Sequence, residues 1–203
     1  MRLFIATPLS SDVERYLGEL IEQLRPHGAG VKWVKSKNIH LTLRFLGETD
    51  QAMVPKITKL IDLVASDFPV VTSKLGRVGG FPNLRRPRVI WVGLEGGVET
   101  LSKMADQIEL GLRELHFEPE KKGFKAHLTL GRVRDHRQLG DLAEKLQSPE
   151  PKKVPVAPAA PVISAAPVVM LDKIVLFKST LTPQGPVYDR LHESPLGQER
   201  FGD

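Results

Sequence analysis

The sequence has no cysteine among its 203 residues, and this absence excludes several kinds of chemistry. Disulfides, thiolate nucleophiles, cysteine-ligated zinc and iron–sulfur clusters all require that residue. The phosphate-binding patterns GxxxxGK[ST] and GxGxxG are also missing, so nucleotide cofactors have no support. The histidines have no cluster of carboxylates beside them, which argues against a metal site. We therefore expect a protein that works without a cofactor and without a metal.

Long apolar runs are missing as well. No stretch approaches the ~18 apolar residues of a membrane span, and Thr7 and Pro8 interrupt the N-terminal "MRLFIATPLS" before it could serve as a signal peptide. We expect no membrane association and a cytoplasmic location. Lys and Arg outnumber Asp and Glu by 29 to 24, and the resulting net charge of +5 mildly favours polyanionic partners.

One tetrapeptide, HLTL, occurs twice, at residues 40–43 and 127–130. Around each copy, the apolar pattern predicts strand, helix, HLTL strand, helix and strand in the same order. We predict one bilobal domain over 1–203, with pseudo-repeats at roughly 1–80 and 85–182. The second repeat includes a predicted helix through Leu139, Leu142 and Leu146. A stretch rich in proline and alanine, at 148–168, is predicted to be a surface loop.

Strand geometry gives the tetrapeptide a polar face. Residues i and i+2 of a strand point the same way, so His40 and Thr42 share one face and the two leucines share the other. The same holds for His127 and Thr129. Leucines belong in the core, so the polar residues should point away from the helices. If a pseudo-twofold axis relates the repeats, two imidazoles and two hydroxyls line one cleft.

This set of residues suits phosphodiester chemistry. One neutral imidazole can accept a proton from the attacking group, and the other, protonated, can donate one to the leaving oxygen. The hydroxyls of Thr42 and Thr129 and the guanidinium of Arg132 can bind the phosphate. Because Arg132 disfavours a protonated neighbour, we assign the base to His127 and the acid to His40. A single strand histidine is more often structural, but a repeat has no packing reason to retain one in both copies.

Other side chains are weaker candidates. Arg44 alternates onto the predicted face of His40, whereas Phe45 occupies the repeat position of Arg132. Trp33 lies in a strand, where a place in the core competes with stacking on a base. A basic loop could hold an RNA backbone or could simply be solvated. The candidate RNA or base contacts are Arg44, Phe45, Trp33, Arg85 and Arg86.

The two His-x-Thr motifs, the second extended as "HLTLGR", resemble those of the two-histidine phosphoesterases. The resemblance is closest to the LigT-like RNA 2′,3′-cyclic phosphodiesterases, also called 2′-5′ RNA ligases. It covers nearly the whole chain, through "RLFIATPL", "NIHLTLRFLGE", "GGFPNLRRPRVIWVG", "FKAHLTLGR" and "LFKSTLTPQGPVY". It implies an α+β fold, bilobal and duplicated, with two antiparallel sheets facing a central cleft and helices on the outer faces.

The resemblance also implies a function. It implies hydrolysis of RNA 2′,3′-cyclic phosphate ends to 2′-phosphates, with reversible, ATP-independent 2′-5′ ligation. Its catalytic histidines correspond to His40 and His127, and its phosphate-binding residues to Thr42, Thr129 and Arg132. We expect a monomer whose partner is RNA with cyclic phosphate ends, tRNA fragments among them. The alternatives are a phosphodiesterase for 2′-5′ oligonucleotides or small cyclic phosphates, and a non-catalytic RNA-binding module.

Overall fold

A computed structural model describes residues 1–142, 146 and 166–197. The helices of these residues are α1 (Ser11–Leu24), α2 (Val54–Asp67) and α3 (Val98–Glu114), with four short 3₁₀ turns between elements. The strands are β1 (Arg2–Pro8), β2 (Val31–Trp33), β3 (His40–Glu48), β4 (Val71–Phe81), β5 (Val89–Glu95), β6 (His127–Val133), β7 (Val168–Leu171), β8 (Lys173–Thr182) and β9 (Gly185–Pro195).

These strands form one sheet in the order β7-β4-β5-β6-β3-β1-β8-β9, with β2 also paired to β6. Every pairing is antiparallel, as predicted. The predicted α+β class and its two lobes are confirmed, and the two sheets of the lobes join edge to edge. The join is a single residue pair, Leu41 of β3 with Leu128 of β6.

The lobes exchange strands between the two halves of the chain. Lobe one consists of β1, β3, β8 and β9, whereas lobe two consists of β2, β4, β5, β6 and β7. The chain crosses from lobe one to lobe two at α2. This helix follows β3, packs against β8, β9 and α3, and leads into β4. Each half of the sequence therefore completes the sheet of the other half, which the repeat alone did not predict.

One core fills the space between the sheet and the helices. Ser10 caps α1 by accepting a hydrogen bond from the Val13 amide, and α1 then buries a stripe of apolar residues at helical spacing. The leucines of both HLTL copies belong to this core, with Leu41, Leu128 and Leu130 fully buried, as predicted. The opposite side of the sheet, which we call the open face, carries the histidines and threonines of the two motifs.

Two predicted segments fall partly outside the described residues. Leu139 and Leu142 are buried, but positions 143–145 of the helix predicted through Leu139, Leu142 and Leu146 are not described. The proline- and alanine-rich loop predicted at 148–168 lies outside the described residues up to residue 165, and β7 begins at its last position. Among the helices of the described part of the chain, none has the length and apolar character that crossing a membrane requires.

Both HLTL strands contain a β-bulge at the same point of the repeat. In β3, Thr42 pairs with Ala6 and Arg44 pairs with Ile5, so Leu43 is the extra residue. A bulge places two consecutive residues on the same side and shifts the alternation of every residue that follows. Arg44 therefore faces the helices, and Phe45 turns onto the open face. The prediction that Arg44 shares a face with His40 is wrong for this reason.

The second bulge brings Arg132 to the open face. Thr129 pairs with Trp91 and Gly131 pairs with Ile90, so Leu130 is the extra residue of β6. Only glycine fits at position 131, because a Cβ there would lie 2.5 Å from Val31 Cγ1. Without the bulge, Arg132, five residues beyond His127, would point toward the helices.

Arg44 instead joins β3 to α3 through a largely buried ion pair. Its Nε lies 2.7 Å from Glu109 Oε2, and its side chain is only 10% exposed. It also donates to the carbonyls of Phe45 and Glu118. Burial acts to raise the pKa of Glu109, but hydrogen bonds from Arg44, Arg113 and the Glu120 amide lower it overall. Arg44 is thus a structural residue.

We expect Arg44→Met to lower the free energy of unfolding by about 2–3 kcal/mol, because Glu109 loses its most buried partner. Urea denaturation measures the change. Arg15→Met is the matched control, since Arg15 pairs with Asp12 on the exposed surface of α1 and should contribute at most ~0.5 kcal/mol. Equal stability of the two variants would contradict a structural role for Arg44.

Candidate active site

The register at the join assembles the two motifs. Because Leu41 pairs with Leu128, the antiparallel register sets His40 beside Thr129 and Thr42 beside His127. All four side chains are partly exposed, whereas the leucines between them are buried. The prediction that the polar residues of the motifs turn away from the core is confirmed.

Both imidazoles are held in the same way. His40 Nδ1 lies 2.8 Å from the Asn38 carbonyl oxygen, and His127 Nδ1 lies 2.6 Å from that of Lys125. A carbonyl oxygen only accepts, so each Nδ1 carries the proton and donates it. Each Nε2 is then unprotonated in the neutral ring and is the atom left for acid–base exchange. The repeated two-residue offset gives the two motifs the same tautomer.

Aromatic rings pack around the histidines. The imidazole of His40 stacks on Phe4 at 4.8 Å between centroids and meets the edge of Tyr188 at 5.4 Å. His127 meets Phe81 edge-on at 5.1 Å. Phe81 and Phe177 occupy equivalent places, since Phe81 pairs with β5 and Phe177 pairs with β1. Each lobe thus supplies an aromatic wall for its own histidine.

These surroundings disfavour the charged imidazole. Burial lowers the pKa of His40 to about 4, and the charge of His127 lowers it further. The hydrogen bond with Asn38 acts in the opposite direction but is the weaker effect. Burial also lowers the pKa of His127, as do the charges of Arg132 and Lys125. Arg132 thus acts on His127 as the sequence argument supposed. However, burial affects His40 more strongly, so this argument alone does not select the base.

Arg132 stands exposed on the open face. It pairs directly with Lys32 of β2, so the two cations point the same way from neighbouring strands. Like charges in this arrangement repel, and an anion bound between them would relieve the repulsion. The charge of Arg132 also opposes the effect of burial on Tyr188, whose pKa is raised overall. Tyr188 belongs to lobe one, so the field of Arg132 extends across the cleft.

The remaining candidates are divided between the two faces. Phe45 lies on the open face, 53% exposed, with its ring 6.0 Å from that of Phe4. Trp33 packs against the core, so the structure favours the packing alternative for it. Arg85 and Arg86 are exposed in a turn whose amides donate to the side chain of Asn83. This turn follows Phe81 and so lies on the side of His127.

Sequence reasoning identified Phe45 but missed the four aromatic residues that pack around the histidines. Phe4, Phe81 and Phe177 have the ordinary appearance of strand residues, and Tyr188 lies in the last strand, outside the repeat. The equivalent positions of Phe81 and Phe177 in the two halves of the chain could have indicated these rings. That equivalence can be recognised only when the strand partners are known. Among the described residues, no group of three or more His, Asp or Glu side chains is arranged to hold a metal ion.

The fold and the duplicated His-x-Thr site are those of a two-histidine phosphoesterase. The family model described as LigT-like phosphoesterase matches two consecutive segments, residues 8–91 and 92–188. The chain belongs to this family.

Similar proteins are known from several organisms. An RNA 2′,3′-cyclic phosphodiesterase of Thermotoga maritima is 34% identical over 95% of this chain and 94% of its own. One from Aeropyrum pernix is also 34% identical, over 87% and 93%. The crystal structure of TT0787 from Thermus thermophilus superimposes with a TM-score of 0.75 at 29% identity, covering 97% and 98% of the two chains. E. coli LigT complexed with 3′-AMP has the same fold, with a TM-score of 0.72 at 23% identity and the same coverage.

We expect NMR titration of the histidine side chains to give a pKa near 4 for His40 and a pKa below 6.5 for His127. Tyr188→Ala and Phe81→Ala are a matched pair of variants, because each removes the ring beside one histidine. Each should raise the pKa of its own imidazole toward 6.5, since water reaches the ring. Titration of either histidine at or above 6.5 in the unaltered protein would contradict this account.

Proposed function

We propose that the protein hydrolyses RNA 2′,3′-cyclic phosphate ends to 2′-phosphates. The observation that carries the proposal is the pair of imidazoles, fixed in the same tautomer on one face of the sheet. The names of the relatives from Thermotoga maritima and Aeropyrum pernix support the choice of substrate.

The reaction is an in-line displacement at phosphorus. A water molecule forms the new P–O bond opposite the 3′ oxygen, and the bond from phosphorus to that oxygen breaks. One neutral Nε2 accepts the proton of the water, and the other, protonated, donates to the departing oxygen. The catalyst therefore needs one proton shared over two histidines, and the pair titrates as a unit.

A bound substrate helps to create that state. Both pKa values are lowered in the free protein, so at neutral pH both imidazoles are neutral and the one-proton form is a minority. Lower pH increases this form. The negative charge of a bound phosphodiester also increases it, because a nearby anion favours imidazolium. The aromatic walls exclude water, which strengthens this interaction.

The neighbouring residues bind the phosphate and the nucleoside. The hydroxyls of Thr42 and Thr129 donate hydrogen bonds to the non-bridging oxygens, and Arg132 stabilises the charge that develops on them. The exposed ring of Phe45 stacks on the base. Arg85 and Arg86, on the side of His127, contact the backbone of the second RNA when RNA ends are joined. We propose that the protein acts as a monomer and without a metal. It also joins RNA ends through 2′-5′ linkages: the 5′-hydroxyl of a second RNA replaces water as the nucleophile, its proton passes to the base, and the 3′ oxygen leaves with the proton of the acid.

Two alternatives keep the same site but change its use. A phosphodiesterase for 2′-5′ oligonucleotides or small cyclic phosphates would use the same proton transfers. A non-catalytic RNA-binding module would not need two imidazoles in one tautomer, because Lys or Arg binds phosphate without titrating near neutral pH. The duplicated tautomer thus favours an enzyme over a binding module.

We expect His40→Ala and His127→Ala each to lower kcat for a 2′,3′-cyclic nucleotide by ~10²–10⁴, the usual cost of removing a general acid or base. Thermal denaturation checks that each variant remains folded. His116→Asn is the control, since His116 is exposed and its φ of 63° suits asparagine. ³¹P NMR identifies the product, and a 3′-phosphate would contradict the proposed direction of opening. Near-normal rates in either alanine variant would exclude the two-histidine mechanism.

We expect exhaustive treatment with EDTA to leave the rate of cyclic phosphate hydrolysis unchanged, because histidine and arginine supply both proton transfer and charge stabilisation. The measurement compares initial rates before and after chelation, and again after Mg²⁺, Mn²⁺ or Zn²⁺ is added. If activity disappears and a divalent ion restores it, the reaction is metal-assisted.

A further inference from the structure

A groove of about 330 Å³ adjoins His40 at the end of lobe one. His40, Phe177 and Tyr188 line its inner end, beside the cleft. One wall is the 3₁₀ turn Ser36–Asn38, and the other is the hairpin that connects β8 to β9. The groove is therefore a continuation of the active-site cleft beyond the first histidine.

A hydrogen bond links the two walls to each other. The Asn38 side-chain amide donates to the Pro186 carbonyl at 3.0 Å, while the Asn38 carbonyl accepts from His40 Nδ1. Thr182 donates to the Gly185 carbonyl at 2.6 Å and so fastens the hairpin on itself. The shape of the groove is thus coupled directly to the position of the His40 ring.

The charged residues that line the groove are cationic, apart from one carboxylate. Lys35 and Lys37 are exposed on the first wall, and Arg190 is exposed on the second, where it donates to Glu193 at 2.8 Å. Glu14 of α1 is the single carboxylate among the lining residues. Burial raises the pKa of Glu14, and the charge of Arg190 opposes the shift. Cations beside one partly buried carboxylate fit a ligand with both an anionic group and a hydroxyl.

The proposed substrate has one such part close to the reacting phosphate. A cyclic phosphate occupies both the 2′ and the 3′ oxygens of the terminal ribose, so the RNA chain can continue only through the 5′ oxygen. The next group along the chain is a phosphodiester, followed by a ribose with a free 2′-hydroxyl. In an in-line displacement, this whole chain lies on the side of the leaving oxygen, and the water lies on the other side.

We propose that the groove beside His40 binds the nucleotide on the 5′ side of the cyclic phosphate. Lys35 and Lys37 contact its phosphodiester, and Glu14 accepts a hydrogen bond from its 2′-hydroxyl. The protein then prefers RNA ends to cyclic mononucleotides. The leaving oxygen consequently faces His40, which is the acid, and His127 is the base. This inference rests on the proposed function and specifies its substrate class.

The test compares two substrates, adenosine 2′,3′-cyclic phosphate and the dinucleotide ApA ending in a 2′,3′-cyclic phosphate. The unaltered protein should have a kcat/KM at least about tenfold higher for the dinucleotide, as one charged contact would provide. In Lys35→Ala/Lys37→Ala, that ratio should fall toward one. The salt dependence of kcat/KM for the dinucleotide should weaken by about one unit of log–log slope.

The 2′-hydroxyl has its own test. Replacing the 5′ nucleotide of the dinucleotide by deoxyadenosine should lower kcat/KM severalfold in the unaltered protein. In Glu14→Gln, the difference in kcat/KM between the ribose and the deoxyribose dinucleotide should be smaller, because the amide is a weaker acceptor than the carboxylate.

Lys56→Ala/Lys59→Ala is the matched control for the lysine pair. It removes the same charge from exposed positions on α2, and it should keep both the activity and the substrate ratio. Equal kcat/KM for the two substrates in the unaltered protein would overturn the proposal. So would a Lys35→Ala/Lys37→Ala variant in which kcat/KM falls by the same factor for both substrates. Either result leaves the proposed function intact. A protein that hydrolyses neither substrate would instead refute the proposed function.

Discussion

The pairing of Leu41 with Leu128 is the contact on which the site depends. It is the only residue pair that joins the sheets of the two lobes within the described part of the chain. Because both leucines are fully buried, the register cannot slip by one residue without turning apolar side chains outward. A single pair also lets β3 and β6 diverge immediately beyond it. The same contact thus fixes the motifs side by side and leaves the cleft open around them.

The bulges make a symmetric framework chemically asymmetric. Each HLTL strand shifts its alternation at the same point, and each thereby presents its next outward residue to the cleft. That residue is Phe45 in lobe one and Arg132 in lobe two. An aromatic ring on one side and a cation on the other distinguish the two ends of a substrate that the backbone alone would treat equally.

Much of the architecture could be predicted from local pattern. The helices, the leucine faces and the outward histidines follow from periodicity, because burial of one face decides the side on which each residue lies. The bulges could not be predicted, since the extra residues are ordinary leucines with no distinctive turn chemistry. Arg44 therefore lies on the helix side instead of the predicted open face. Arg132 does reach the open face, as its predicted role requires, but only because a bulge precedes it. The rings beside the histidines, including Tyr188, come from strands that are distant in sequence, and pairing partners at that distance are not encoded in local periodicity.

The exchange of strands between lobes has a consequence for synthesis of the chain. Leu3, Ile5 and their neighbours in β1 find one of their two strand partners only in β8, near the other end of the sequence. During synthesis on the ribosome, the apolar edge of β1 that pairs with β8 stays unpaired until almost all of the protein has emerged. Lobe two has four of its five strands by residue 133 and can form first. The apolar edge of β1 is thus most exposed to solvent during synthesis, before β8 pairs with it.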